Sequence, residues 1–227
     1  MDSYFIYYGI TAIAFLISSL AQAFVMGTYN KYAKEDNNRG MSGKDAARLL
    51  LDRHNLSNVN ITQVGGTLSD HYDPRKKIIR LSSVIYSEDS ISSVAVACHE
   101  CGHAIQDKEG YVFMRIRAKL VPLVNFCSYA GYIAIMIGLL AGLLKIVIVG
   151  IVLECVILLF QLITLPVEFD ASKRALDEIK QTGILELSEH KKAKKVLTAA
   201  ALTYVASVAS TLLQILRLVL MFTRRRR

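Results

Sequence analysis

The sequence predicts an α-helical membrane protein carrying one small α+β domain, on three observations. Apolar residues come in runs: the 227-residue chain is 53% hydrophobic and lacks Trp. Four stretches, 4–26, 120–144, 146–165 and 200–222, have the length needed to cross a bilayer. Between the first two runs, 27–119 turns polar, with 14 Lys+Arg against 11 Asp+Glu, and holds β-prone pieces bounded by Gly and Pro turns. Within that polar stretch, His99 and His103 stand four residues apart in a helix-like pattern. The +8 net charge does not point to nucleic acid. No RNA- or DNA-binding motif accompanies it, and the bases flank the apolar runs as positive-inside bias requires.

Residues 4–26 read as the first transmembrane helix, with Tyr4, Tyr7 and Tyr8 as interfacial aromatics. Ala21-Gln22-Ala23 has the form of a signal-peptidase box, but Asp2 and the lack of an early Lys or Arg argue for an uncleaved span. In 27–119, Ser42 is a capping residue for a helix running to about His54, with Ala46, Leu49 and Leu50 on its apolar face. Val59 to Val64 reads as a strand and Thr67 to Tyr72 as a second β-prone piece. The turn Asp73-Pro74-Arg75-Lys76 then leads into a returning strand, Lys77 to Leu81. An exposed edge of such a sheet can take up an extended peptide by strand addition. His71, in this hairpin, reads as a surface or substrate-side residue.

The next helix is predicted from about Glu88 to Glu109, with Ser87 as N-cap, Glu88 and Asp89 at the positive end of the dipole and Gly110 as terminator. Its apolar part, Ser93 to Gln106, is too short to span a membrane. It carries His99-Glu100-Cys101-Gly102-His103. Residues i and i+4 share a helix face, so both imidazoles can reach one cation, and Zn²⁺ is the cation that this spacing suits. Glu100 leans over the same face without being needed as a ligand, which suits a general base and acid toward a metal-activated water. The four cysteines make no disulfide framework. Cys98 and Cys101 form a C-x-x-C but would compete with the His pair on one helix, so they read as small buried residues.

Residues 120–165 read as a two-span hairpin turning at Lys145, with Ser128, Gly131, Gly138 and Gly142 available for close helix packing. Glu154 lies inside the second run, where a carboxylate is costly. It precedes Glu168 by 14 residues, which is about 21 Å of straight helix and too far for a shared ion. Pro166 favours a kink or a new first turn. The segment 166–199 is polar and offers Glu168, Asp170 and Asp177 as candidates for a third ligand. Glu168 is the best placed, at the mouth of the membrane, and Asp170 and Ser172 are candidates for orienting the ligands. The segment 200–222 has the length of a fourth span, but its Ser, Thr, Gln and Arg residues and the terminal Arg224 to Arg227 also suit a helix lying on the membrane. A span or deep re-entrant helix is the expectation.

His99-Glu100-Cys101-Gly102-His103-Ala104, with the preceding Asp70-His71-Tyr72-Asp73-Pro74 hairpin, resembles the YugP-type bacterial neutral zinc metallopeptidases over essentially the whole chain. More distantly, the order H-E-x-x-H, two-span hairpin, then Glu-x-x-Ala is similar to the HtpX and CAAX-prenyl-protease group of gluzincins. The resemblance implies a gluzincin-like fold for the small domain and, since Glu168-Phe169-Asp170-Ala171 matches the Glu-x-x-Ala pattern, Glu168 as third zinc ligand. Ser172 stands where that group carries Asp, and substrate identity is not carried over.

The expectation is a membrane-bound zinc endopeptidase with His99, His103 and Glu168 on the metal and Glu100 as proton shuttle. Its partners would be the lipid bilayer and a membrane-associated protein or peptide substrate. It would be a multi-pass protein of the cell membrane with its active site on the cytoplasmic side. The alternative is a non-catalytic, zinc-stabilised membrane adaptor. A metal carrier is disfavoured, because the spans hold no paired metal ligands.

Overall fold

The structure is a computed structural model describing residues 2–225; the side chains of Asp2, Ser3, Tyr4, Arg224 and Arg225 lie outside what it describes. The elements run α1 (Asp2–Tyr32), α2 (Gly43–Arg53), β1 (Asn60–Val64), β2 (His71–Asp73), β3 (Ile78–Ser82), α3 (Ser83–Ser87), α4 (Ile91–Glu109), α5 (Val112–Leu140), α6 (Leu144–Thr182) and α7 (Leu187–Arg225). They form two compact units, one of residues 23–114 with 166–202, the other of residues 1–22, 115–165 and 203–227.

The first unit is the small α+β domain. Ser42 caps α2, its hydroxyl accepting the Asp45 N–H, and His54 ends it. Ala46, Ala47, Leu50 and Leu51 are fully buried beside Val94, Ala97 and Cys98 of α4 in one core. Gly43 permits the close approach of α2, since a Cβ there would meet the Ile85 carbonyl and stand 2.9 Å from the Ser93 oxygen. The three-stranded sheet has the order β1-β3-β2, β3 pairing parallel with β1 and antiparallel with β2, Tyr72 opposite Ile79. The sequence shows the hairpin but not this order, because the parallel β1–β3 pairing depends on a crossover rather than a tight turn. Strand β2 shrinks to three residues. The expected helix from Glu88 starts instead at Ile91: Ser90, not Ser87, is the cap, accepting the Ser93 N–H, and Ser83–Ser87 is a separate short helix. Gly110 ends α4 in the left-handed region at φ 70°, as its lack of a Cβ allows.

The second unit is helical. α5 and α6 form the two-span hairpin, but the turn falls at Ala141-Gly142-Leu143 rather than at Lys145, which is the second residue of α6. Gly142 makes the turn, at φ 68°, with no neighbour near its Cβ position. Gly138 and Gly131 are packing glycines, the first against Val147 and the second against Leu153. Pro166 does not interrupt α6. α7 is one continuous helix, and its polar residues meet α1: Ser210 donates to the Ala14 carbonyl at 3.1 Å, and Arg217 to Thr11 Oγ1 at 2.9 Å. Four helices, within α1, α5, α6 and α7, are long and apolar enough to cross a membrane. Their apolar residues face outward, Phe15 being 69% and Leu20 67% exposed. This is a multi-pass membrane protein.

Candidate metal centre

The site begins with a close approach between two helices of the small domain. Gly102 of α4 lies against Ala171 of α6, where a Cβ would stand 2.6 Å from the Ala171 carbonyl oxygen. Only a glycine lets the backbones meet at this point. One turn before Ala171, Glu168 is thereby carried to the two imidazoles that flank Gly102. Glu168 Oε2 is 3.3 Å from His99 Nε2 and 3.6 Å from His103 Nε2. The two rings meet edge to face, centroids 4.8 Å apart at 82°.

These spacings fit zinc. With bonds of about 2.0–2.1 Å in tetrahedral geometry, neighbouring ligand atoms stand about 3.3–3.4 Å apart. The three donor groups lie within 4.8 Å of one another, and among the described residues they are the one cluster that can hold a metal. His103 is 6% and Glu168 3% exposed, so the donors are held by packing. The ring nitrogens turned away from Glu168 are also engaged. Ser172 Oγ is 3.2 Å from His99 Nδ1, and Gln106 Oε1 is 3.0 Å from His103 Nδ1. Ser172, which stands where the resemblance places an Asp, thus reaches His99 with a hydroxyl.

Glu100 is 6% exposed. Burial pushes its carboxyl up to about 7, Glu168 and Asp70 add to the rise, and His99 and the Tyr72 backbone N–H oppose it. A carboxyl poised near neutrality beside a cation site can both take up and release a proton. Strand β2, which brings Tyr72, is fastened to α4 at Asp107. The Tyr72 hydroxyl donates to Asp107 Oδ2 at 2.7 Å, and Lys77 pairs with the same oxygen. Behind the strand, burial raises the Asp70 carboxyl, which accepts the Ser82 N–H at 2.6 Å.

The other candidates fall elsewhere. Asp170 turns to Gln106 and Arg174; Asp177 is exposed; Glu154 is not in the cluster. His71 is exposed, its Nδ1 2.8 Å from the Ser69 carbonyl and its Nε2 3.2 Å from Arg80 Nη1. Burial pushes the Cys98 and Cys101 thiols well up, away from the thiolate a metal needs, and Cys101 donates to the Ala47 carbonyl. Sequence reasoning missed Gln106, fully buried on the His103 side of the cluster. Its spacing of i+3 from His103 was the available signal.

The chain matches the model of the family described as "Putative neutral zinc metallopeptidase" over residues 7–223. It is 42% identical over 213 residues to the "Putative membrane protease YugP" of Bacillus subtilis (strain 168), covering 94% of this chain and 95% of that protein. No solved structure matches it.

Proposed function

This chain belongs to the neutral zinc metallopeptidase family, and from that premise we propose how and where it cuts. It is a membrane zinc endopeptidase. The observation that carries the reading is Glu168, delivered by α6 to 3.3 and 3.6 Å from the two Nε2 atoms of α4. His99 and His103 would hold zinc through Nε2, and Glu168 would complete the set through its carboxylate. Zinc, when bound, supplies a Lewis acid that makes water nucleophilic near pH 7 and polarises a peptide carbonyl. Glu100 removes the proton from the attacking water and carries it to the nitrogen of the leaving amine; its near-neutral carboxyl supports both halves of the transfer. The substrate backbone enters as an added strand along the sheet edge at β2, the strand whose Tyr72 N–H meets Glu100.

The catalytic part is 27–119 with 166–199, and 4–26, 120–165 and 200–222 are its membrane part; the two compact units support this division. The catalytic part faces the cytoplasm. Its support is charge next to the spans: Lys31, Lys34 and Arg39 follow the first apolar run, Arg115, Arg117 and Lys119 precede the second, and the short segment 166–199 carries 7 Lys+Arg. Substrates are membrane proteins cut in their juxtamembrane segments, because Glu168 stands three residues past the apolar run ending at Leu165.

Glu100→Gln tests the mechanism: the purified chain should keep zinc and lose peptide cleavage. A zinc-stabilised adaptor would instead keep its cellular phenotype in that variant. Comparing a membrane-anchored segment with the same segment free in detergent tests the substrate class. Faster cleavage of the free segment contradicts it.

A further inference from the structure

Gln106 makes three hydrogen bonds in a fully buried position on α4. Its Nε2 donates to the Val167 carbonyl at 2.8 Å and to Asp170 Oδ2 at 2.8 Å, and its Oε1 stands 3.0 Å from His103 Nδ1. The first two partners decide what the third can be. A backbone carbonyl and a carboxylate are acceptors only, so the NH₂ end of the amide must face them. Turning the amide over would set its oxygen against two other oxygens inside the protein, where such contacts are not relieved by water. Oε1 is therefore fixed toward His103 and can only accept. It follows that Nδ1 of His103 carries the hydrogen, so that in the neutral ring Nε2 carries the lone pair, on the side of Glu168 and His99.

Asp170 is itself held as an acceptor. Arg174 Nε donates to the same Oδ2 at 2.6 Å, and Arg174 Nη1 reaches Glu109 Oε2 at 2.6 Å. His99 has no comparable device among the described residues. Its Nδ1 faces the Ser172 hydroxyl, which can donate or accept and imposes no tautomer.

We propose that Gln106 is the positioning residue of the metal site, its amide aimed by Asp170 and the Val167 carbonyl so that His103 presents Nε2 unprotonated to the ion. The inference rests on the zinc reading of the cluster. Its consequence is that the two imidazoles are unequally prepared, His103 arriving in the ligating form and His99 being free to choose it.

The test uses the full-length chain in detergent, with zinc affinity measured by chelator competition and ring protonation by nitrogen NMR of the zinc-free, histidine-labelled protein. In the wild type, at a pH where the ring is neutral, His103 should show a protonated Nδ1 and an unprotonated Nε2. Gln106→Met, which keeps length and loses every hydrogen bond, should mix the tautomers and weaken zinc by about 10- to 100-fold, the range for partners behind a ligand. Asp170→Asn leaves the amide in place but offers it a side chain that can donate or accept. It should weaken zinc by a smaller factor, and it answers the question if Gln106→Met does not fold. Gln106→Glu alone should weaken zinc, since the new carboxylate faces two acceptors. Adding Asp170→Asn supplies a donor and should restore most of the affinity. A neutral His103 whose Nε2 carries the hydrogen in the wild type, or a folded Gln106→Met or Asp170→Asn protein with zinc affinity unchanged, overturns the proposal while leaving the zinc site standing. A wild type that binds no zinc overturns the zinc reading itself.

Discussion

Helix α4 and the first two-thirds of α1 are both rich in apolar residues, yet they use them in opposite ways; the end of α1, with Tyr29 and Tyr32, is buried in the core. In α4, Val94, Ala95, Ala97, Cys98 and Cys101 are fully buried within the small domain, and the same helix buries Glu100, His103 and Gln106. In α1, Phe5 is 74%, Phe15 69% and Leu20 67% exposed, side chains for lipid to cover. The difference teaches that apolar content does not decide what a helix does; what it packs against does. A helix wrapped by protein can carry charged and hydrogen-bonding groups because neighbouring elements supply their partners, as Val167, Asp170 and Ser172 do for the site. A helix whose apolar side chains face lipid has no such supply there, apart from the side where α7 provides Ser210 for Ser18.

This contrast can be broken most forcefully at Glu100. Glu100→Gln should lower turnover by about 10²- to 10⁴-fold, the contribution of a positioned proton carrier, with zinc retained by metal analysis. An effect no greater than that of a lipid-facing substitution in α1 would erase the distinction between the helices. Glu168→Ala comes next. It should weaken zinc by more than about 100-fold, beyond the range of groups that only support ligands, as read by chelator competition. Full zinc binding in this variant would mean that another acid substitutes.

The glycines sharpen the comparison on a finer scale. Gly102→Val on α4 drives side-chain atoms into the Ala171 backbone and should cost about 1–3 kcal/mol of stability, with weaker zinc because Glu168 is displaced. Gly9→Ala on α1 meets nothing within 4 Å. It should leave melting and zinc binding unchanged, or raise stability by up to about 1 kcal/mol through reduced backbone freedom. Thermal unfolding of the two variants side by side checks both.

Much of this was legible from the residues. Two imidazoles at i and i+4 put their rings on one face because the helix repeat dictates it, and Ser42 and Gly110 are where a cap and a terminator belong. Runs of apolar residues gave the spans by length alone. Boundaries were harder. Both Ser87 and Ser90 can cap, and the choice fell to Ser90 because Ser83–Ser87 folds on itself as α3. Lys145 reads as a turn by charge, but Gly142 takes the left-handed conformation that the hairpin needs. What the sequence hid was the arrangement that only close packing creates. Glu168 could be preferred over Asp170 and Asp177 from its place at the mouth of the membrane and from the Glu-x-x-Ala resemblance, but the contact of Gly102 with Ala171 that carries it to the imidazoles could not be read. The bonds of Gln106 across 61 and 64 residues to Val167 and Asp170 have no local signature.

The central claim is that two imidazoles and one carboxylate, from α4 and α6, close on one zinc ion. X-ray absorption at the zinc edge of the purified full-length chain tests it most directly. The expected spectrum has only nitrogen and oxygen neighbours at about 2.0–2.2 Å with the outer-shell pattern of two imidazoles, one zinc per chain, and loss of that signal in Glu168→Ala. A sulfur shell near about 2.3 Å, the distance of a zinc thiolate, would assign the metal to Cys98 and Cys101 and contradict the account.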